Sequence, residues 1–209
     1  MRIEMGESLL YSYLRHIKKC QIVQTNWKTS PTWDITEEDK IQHLMTDIDD
    51  HFSKEYQYNI FKKNSSLQQI IQQAELDAIG VCPGKIYACE VAYHSAGLQY
   101  GPKEVTTQKV ISKMARAAFV CLGYMRITEG EIIFASPKIN KATLDLLLPC
   151  IDDLQIILNN NGLHLELRLM YNEEFRQEIL DQVASIADKV ADEAELFLRS
   201  YQLLKLFDK

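Results

Sequence analysis

The segment from Ala74 to Gly101, AELDAIGVCPGKIYACEVAYHSAGLQYG, constrains this chain more than any other. Ala74 to Val81 is a run of apolar, small and acidic residues, and Cys82, Pro83 and Gly84 break it. Lys85 to Tyr93 then supplies the β-branched and aromatic residues that pack well on a pleated surface. Strand, turn, strand is the expected local structure, with the two strands paired as a hairpin. Side chains alternate faces along a strand, so Glu75 and Asp77 share one face of the first segment, and Glu90, Ala92 and His94 share one face of the second. Where those faces coincide, carboxylates from neighbouring strands converge.

Convergent carboxylates repel one another and lose hydration, and a cation relieves both costs. A hard divalent ion suits them: magnesium takes oxygen ligands, commonly one or two carboxylates with several waters, and serves phosphate chemistry. The competing reading is that Asp77 and Glu90 are solvated residues on an exposed sheet face.

An acidic residue on one strand, a turn, and an acidic residue inside an apolar strand resembles the core of the PD-(D/E)XK nuclease superfamily, which includes restriction endonucleases and Holliday-junction resolvases. The resemblance implies that Asp77 is the first acid and Glu90 the acid of the second motif. It implies a metal site of Asp77 and Glu90, with Glu75 as a further ligand, holding Mg2+ or Mn2+. The superfamily's lysine, two residues after the second acid, falls on Ala92, a departure that touches catalysis rather than fold. His94 lies where it supplies a base or a ligand, and Gln99, Lys109 and Lys113 are more remote substitutes. Glu7 occupies the place of a first-helix glutamate that joins the metal site in many of these proteins; its other reading is a complement to the helix dipole. The implied activity is magnesium-dependent hydrolysis of phosphodiester bonds in DNA. The alternative is an inactive nuclease-like fold that binds nucleic acid or a protein partner.

Length and composition agree with one α/β domain spanning residues 1–209, since 209 residues with 46% hydrophobic content suffice for one core and are short for two. No apolar run approaches the roughly 20 residues needed to span a bilayer. MRIEMGESLL lacks the regions of a signal peptide, so a cytoplasmic location is expected. The five cysteines, Cys20, Cys82, Cys89, Cys121 and Cys150, are scattered among apolar neighbours and read as reduced core residues. A formal charge of −6 argues against a protein that coats nucleic acid, while leaving room for a local basic groove.

Periodicity orders the remaining elements. Helix is expected over Glu7 to Lys19, a short strand over Gln21 to Thr25, and a second helix over Asp34 to Ser53, with Ile41, Leu44 and Ile48 on one stripe. Trp27 and Trp33 are packing anchors or stacking surfaces for bases. A short helix from Leu67 to Gln73 leads into the hairpin. After it, a helix is expected to run from about Pro102 to Leu122 and to stop at Gly123 in the left-handed conformation. Its Lys109, Lys113 and Arg116 form a basic stripe, which faces either solvent or a phosphate backbone. Strand Glu131 to Ser136, helix Lys141 to Asn159, strand Leu163 to Met170 and a long helical region from Asn172 to Phe207 follow. With Asp34 to Gln73 read as a helical insertion, this order resembles the restriction-endonuclease-like α-β-β-β-α-β core of that superfamily, followed by C-terminal helices.

The last segment, LFLRSYQLLKLF from Leu196 to Phe207, is apolar on more than one helical face. A surface helix normally shows one apolar stripe. The second face either docks on the chain's own sheet or forms a homodimer contact.

Overall fold

The computed structural model describes residues 4–61, 65–190 and 195–207. Its centre is a five-stranded mixed sheet in the order β1 (Ile22–Lys28), β2 (Glu75–Cys82), β3 (Lys85–Val91), β4 (Glu129–Ser136) and β5 (His164–Tyr171). The first two pairings are antiparallel and the last two parallel. β2 and β3 are the expected hairpin, turning at Pro83 and Gly84, where Gly84 takes the left-handed φ of 72°. The parallel pairings need crossovers, which the helices α4 (Lys103–Gly123) and α5 (Lys141–Asn160) provide.

Alternation along the strands sorts the core into two layers. On one face Ile86, Ala88, Ile132, Phe134, Leu165 and Leu167 pack against α4, α5, α2 (Glu38–Tyr56) and α3 (Leu67–Gln72). On the other, Ala78, Tyr87, Cys89, Ile133 and Met170 pack against α1 (Met5–Ser12), α6 (Asn172–Phe175), α7 (Asp181–Ile186) and α8 (Leu196–Lys205). The result is a sheet sandwiched between two helical layers.

A buried carboxylate is built into the second layer. Glu131 is 5% exposed on β4. Lys85 lies 2.6 Å from it, Lys18 3.5 Å and Arg168 3.8 Å. Burial works against the charge, but these cations win and hold the Glu131 carboxyl below its ordinary range.

Several elements depart from the sequence expectations. The first helix ends at Ser12 and widens into a π-type turn over Tyr13–Ile17 before Lys19 reverses the chain at φ 61°. β1 extends three residues beyond Thr25. Gly123 is helical rather than a left-handed stop. Its lack of a side chain admits Ile41, whose Cδ1 would lie 2.8 Å from an added Cβ. The expected long C-terminal helix is broken: a second π-type turn covers Arg176–Leu180, and a 3-10 turn at Ala187–Lys189 ends α7. Asn172 starts this region at φ 50°, with its amide bonded to both the N–H and the carbonyl of Ile139.

Among the described residues, no helix is long and apolar enough to cross a membrane.

Candidate functional site

The site forms where the hairpin opens. Ladder pairing between β2 and β3 runs from Cys82 opposite Lys85 to Ala78 opposite Cys89, and the next pair, Asp77 and Glu90, leaves the ladder. Backbone groups freed there need partners. The Asp77 carboxylate supplies one, accepting the Val91 N–H at 2.7 Å through Oδ2. Opposite Asp77 on β1, Asn26 adopts a left-handed φ of 50°, and its neighbours Thr25 and Trp27 pair with Ala78 and Leu76. Leu76 packs with the first layer, where strict alternation from Ala78 would place it in the second. The alternation therefore slips at Asp77.

Glu90 is 3% exposed on β3, between β2 and β4. A carboxylate so deep requires a cation, and Lys113 of α4 donates directly to Glu90 Oε2. α4 crosses back over this end of the sheet because it must carry the chain from β3 to the parallel β4. Its third turn thereby meets the opened hairpin. Arg116, three residues on, holds its guanidinium against Ser112, with Nη2 2.9 Å from Oγ and Nε 3.3 Å from the carbonyl. Among the described residues Arg116 has no carboxylate partner. Gln73, Glu75, Glu90, Lys113 and Arg116 line a cleft of about 150 Å³.

The charges act on one another strongly. Burial raises the Asp77 carboxyl, and the Val91 N–H and Lys113 only partly offset it. Glu90 is pushed up to about 7, chiefly by burial, with Lys113 opposing and Asp77 adding to the rise. Burial draws Lys113 down, but the Glu90 and Asp77 carboxylates outweigh it and its pKa rises. The Arg116 guanidinium is lowered by burial. Two carboxyls, both raised by burial, thus stand beside an ammonium and a half-buried guanidinium.

The other residues singled out in the sequence separate into distinct environments. Glu75 is exposed at the cleft edge and paired with Lys28 at 3.0 Å, across the β1–β2 register. β3 ends at Val91, so the alternation expected to bring His94 onto the Glu90 face stops short of it. His94 sits in the following loop, edge-on to Tyr100 at 5.4 Å between ring centroids. Ala92 is buried, its N–H donating to the Ala135 carbonyl at 2.9 Å. Glu7 is tied into the α1 N-terminus, where its Oε2 accepts Asn26 Nδ2 at 2.6 Å and the Glu4 N–H at 3.2 Å. Among the described residues it bonds neither Asp77 nor Glu90. The basic stripe splits, with Lys113 and Arg116 at the cleft and Lys109 Nζ 5.4 Å from the Tyr100 ring centroid.

Tyr100 is the residue that sequence reasoning missed. Burial raises its hydroxyl, and it feels Lys113, Glu90 and Asp77. Its place in a glycine-bounded loop gave no period to read. Among the described residues, no three His, Cys, Asp or Glu side chains gather into a metal-binding cluster. No protein-family model matches the chain, and neither a curated protein nor a solved structure is significantly similar to it.

Proposed function

We propose that the chain is a magnesium-dependent phosphodiesterase acting on DNA, with a restriction-endonuclease-like core. The observation that carries the reading is the convergence of Asp77 and Glu90 at the open end of the hairpin, with Lys113 delivered to Glu90 from α4. The donor set fits a hard divalent ion, because two carboxylates suffice for magnesium when water completes the shell. Asp77 and Glu90 would hold it, and Glu75 lies on the same cleft as a further oxygen donor. When bound, the metal supplies Lewis acidity and a water of lowered pKa.

The protein's own groups have separable roles. Lys113 takes the place of the lysine absent at Ala92: its ammonium neutralises Glu90 and stands at the cleft, where a phosphate oxygen would meet it. Arg116 offers a guanidinium that pairs with no acid among the described residues, suited to hold a phosphate in two-point contact. Tyr100 closes the site beside His94 and Lys109, which present a cation and ring faces to the substrate strand.

Incubation with plasmid and oligonucleotide DNA in Mg2+ or Mn2+ tests the proposal. Cutting that is lost in excess EDTA and in Asp77→Ala supports it, and cutting that survives EDTA overturns it.

A second reading, a nuclease-like fold that binds nucleic acid or a protein without cutting it, is favoured by Ala92 and by the absence, among the described residues, of three His, Cys, Asp or Glu side chains gathered to hold a metal. Ala92→Lys separates the two: a chain that cuts only after this change is a binder by nature.

For assembly, we infer a homodimer through α8. Leu203, Leu204, Leu206 and Phe207 are 58 to 80% exposed along its end. A paired arrangement would serve an enzyme that reaches both strands of a duplex.

A further inference from the structure

At the far end of the hairpin from the cleft, two thiols touch. Cys20 Sγ and Cys82 Sγ are 3.3 Å apart, and Cys82 also approaches the Lys18 carbonyl at 3.7 Å. Their meeting has a specific cause in β2. Gly80 and Cys82 point to the same face of that strand, and the missing side chain at Gly80 is filled by Cys20, whose Sγ would lie 2.8 Å from an added Cβ. Cys20 is buried and Cys82 half-buried, so Cys82 is the more accessible residue of the pair. Both stand at junctions that can adjust: Cys20 follows the left-handed Lys19, and Cys82 precedes the turn at Pro83 and Gly84. The remaining approach to bonding distance, about 2.05 Å, is little more than an ångström.

We propose that Cys20 and Cys82 are a reversible oxidation site, taking a peroxide or a low-molecular-weight disulfide as oxidant and closing an intrachain disulfide. With hydrogen peroxide, the half-buried Cys82 attacks as thiolate, breaking the O–O bond and leaving a sulfenic acid and one water. Cys20 then attacks the Cys82 sulfur, the S–O bond breaks, and the second water leaves with the proton from Cys20. Two thiols are oxidised by two electrons and one peroxide is reduced to two waters. With a low-molecular-weight disulfide, Cys82 first forms a mixed disulfide and Cys20 displaces the second small thiol. Burial and the hydrogen bond to Cys82 push the Cys20 thiol up to about 12, so it acts as the resolving partner rather than as the first nucleophile. Cys89, Cys121 and Cys150 are buried, and their thiols are likewise raised.

The test treats the full-length reduced protein with stoichiometric hydrogen peroxide and, separately, with oxidised glutathione. Mass spectrometry without reduction should show a loss of 2 Da per chain, and peptide mapping should join the Cys20 and Cys82 peptides. Dithiothreitol should restore the mass. Cys20→Ser should stop at a sulfenic acid or a glutathione adduct on Cys82, and Cys82→Ser should leave position 20 unmodified. A gain of 16 or 32 Da on Cys82 of the wild-type chain with no cross-link, or a cross-link between other cysteines, overturns the proposal.

Discussion

Lys113 reaches from the third turn of α4 to the Glu90 carboxylate on the central strand, joining residues 23 positions apart across the interface of sheet and helix. This contact makes a carboxylate only 3% exposed tolerable, and it sets an ammonium at the cleft.

Replacing Lys113 with methionine keeps the bulk of the side chain and removes its charge. Two facing carboxyl groups then lack their cation, and stability should fall by about 3 kcal/mol at pH 8 in urea unfolding. The loss should shrink near pH 5, where Glu90 is protonated in both folded proteins. DNA cleavage should drop by about a hundredfold or more, and a variant that cuts at the wild-type rate would remove Lys113 from the mechanism.

Asp77 has a structural duty as well as a proposed chemical one. Asp77→Asn retains an oxygen for the Val91 N–H and should cost under about 1 kcal/mol, whereas Asp77→Leu orphans that donor and should cost about 2 kcal/mol. Cleavage should vanish in both. A fully active Asp77→Asn would show that the residue serves only the backbone.

Acid should weaken the fold through Glu131. Its folded pKa lies below the unfolded value near 4.5, so its contribution is complete above that value and is lost as pH falls through the folded pKa. Thermal unfolding of the wild type should therefore show a declining midpoint below about pH 4.5. Glu131→Gln should destabilise by about 3 kcal/mol at pH 7 and show a flatter acid limb.

Gly80→Ala tests the gap that admits Cys20. The added methyl meets Cys20 Sγ at 2.8 Å and Leu14 Cδ1 at 3.2 Å, so overpacking should cost about 2 kcal/mol. The double change Gly80→Ala with Cys20→Ala should recover most of it, as measured by chemical denaturation.

Sedimentation at micromolar concentration checks the α8 contact. A dimer that dissociates when Leu203 and Phe207 become polar is the expected result, and a wild-type mass of about 24 kDa would exclude it.

The hairpin was legible because period-two alternation and a Pro-Gly break are local signals, and the helices before it and the crossovers after it followed from helical periods. What alternation could not foresee is the slip at Asp77, which depends on Asn26 in a neighbouring strand. Lys113 was visible as part of a basic stripe, but its reach to Glu90 depends on how the crossover helix lies on the sheet. Gly123 misled because a glycine near a helix end usually serves backbone conformation, while here Ile41 needs its space. The start of the C-terminal region was hidden for a similar reason, since Asn172 answers to Ile139, 33 residues earlier.

The order of strands has a consequence for how the chain acquires its structure. Each strand pairs with its sequence neighbours, so none has to be inserted between two that are already joined. The β2–β3 hairpin closes over only two intervening residues and can nucleate early, with β1 adding to one side. β4 and β5 then dock in turn on the other side, each bringing its crossover helix, which matches the sequence in which a ribosome releases them. Asp77 and Glu90 therefore stand on strands joined by a local turn, whereas Lys113 reaches Glu90 only through the longer crossover that begins with α4.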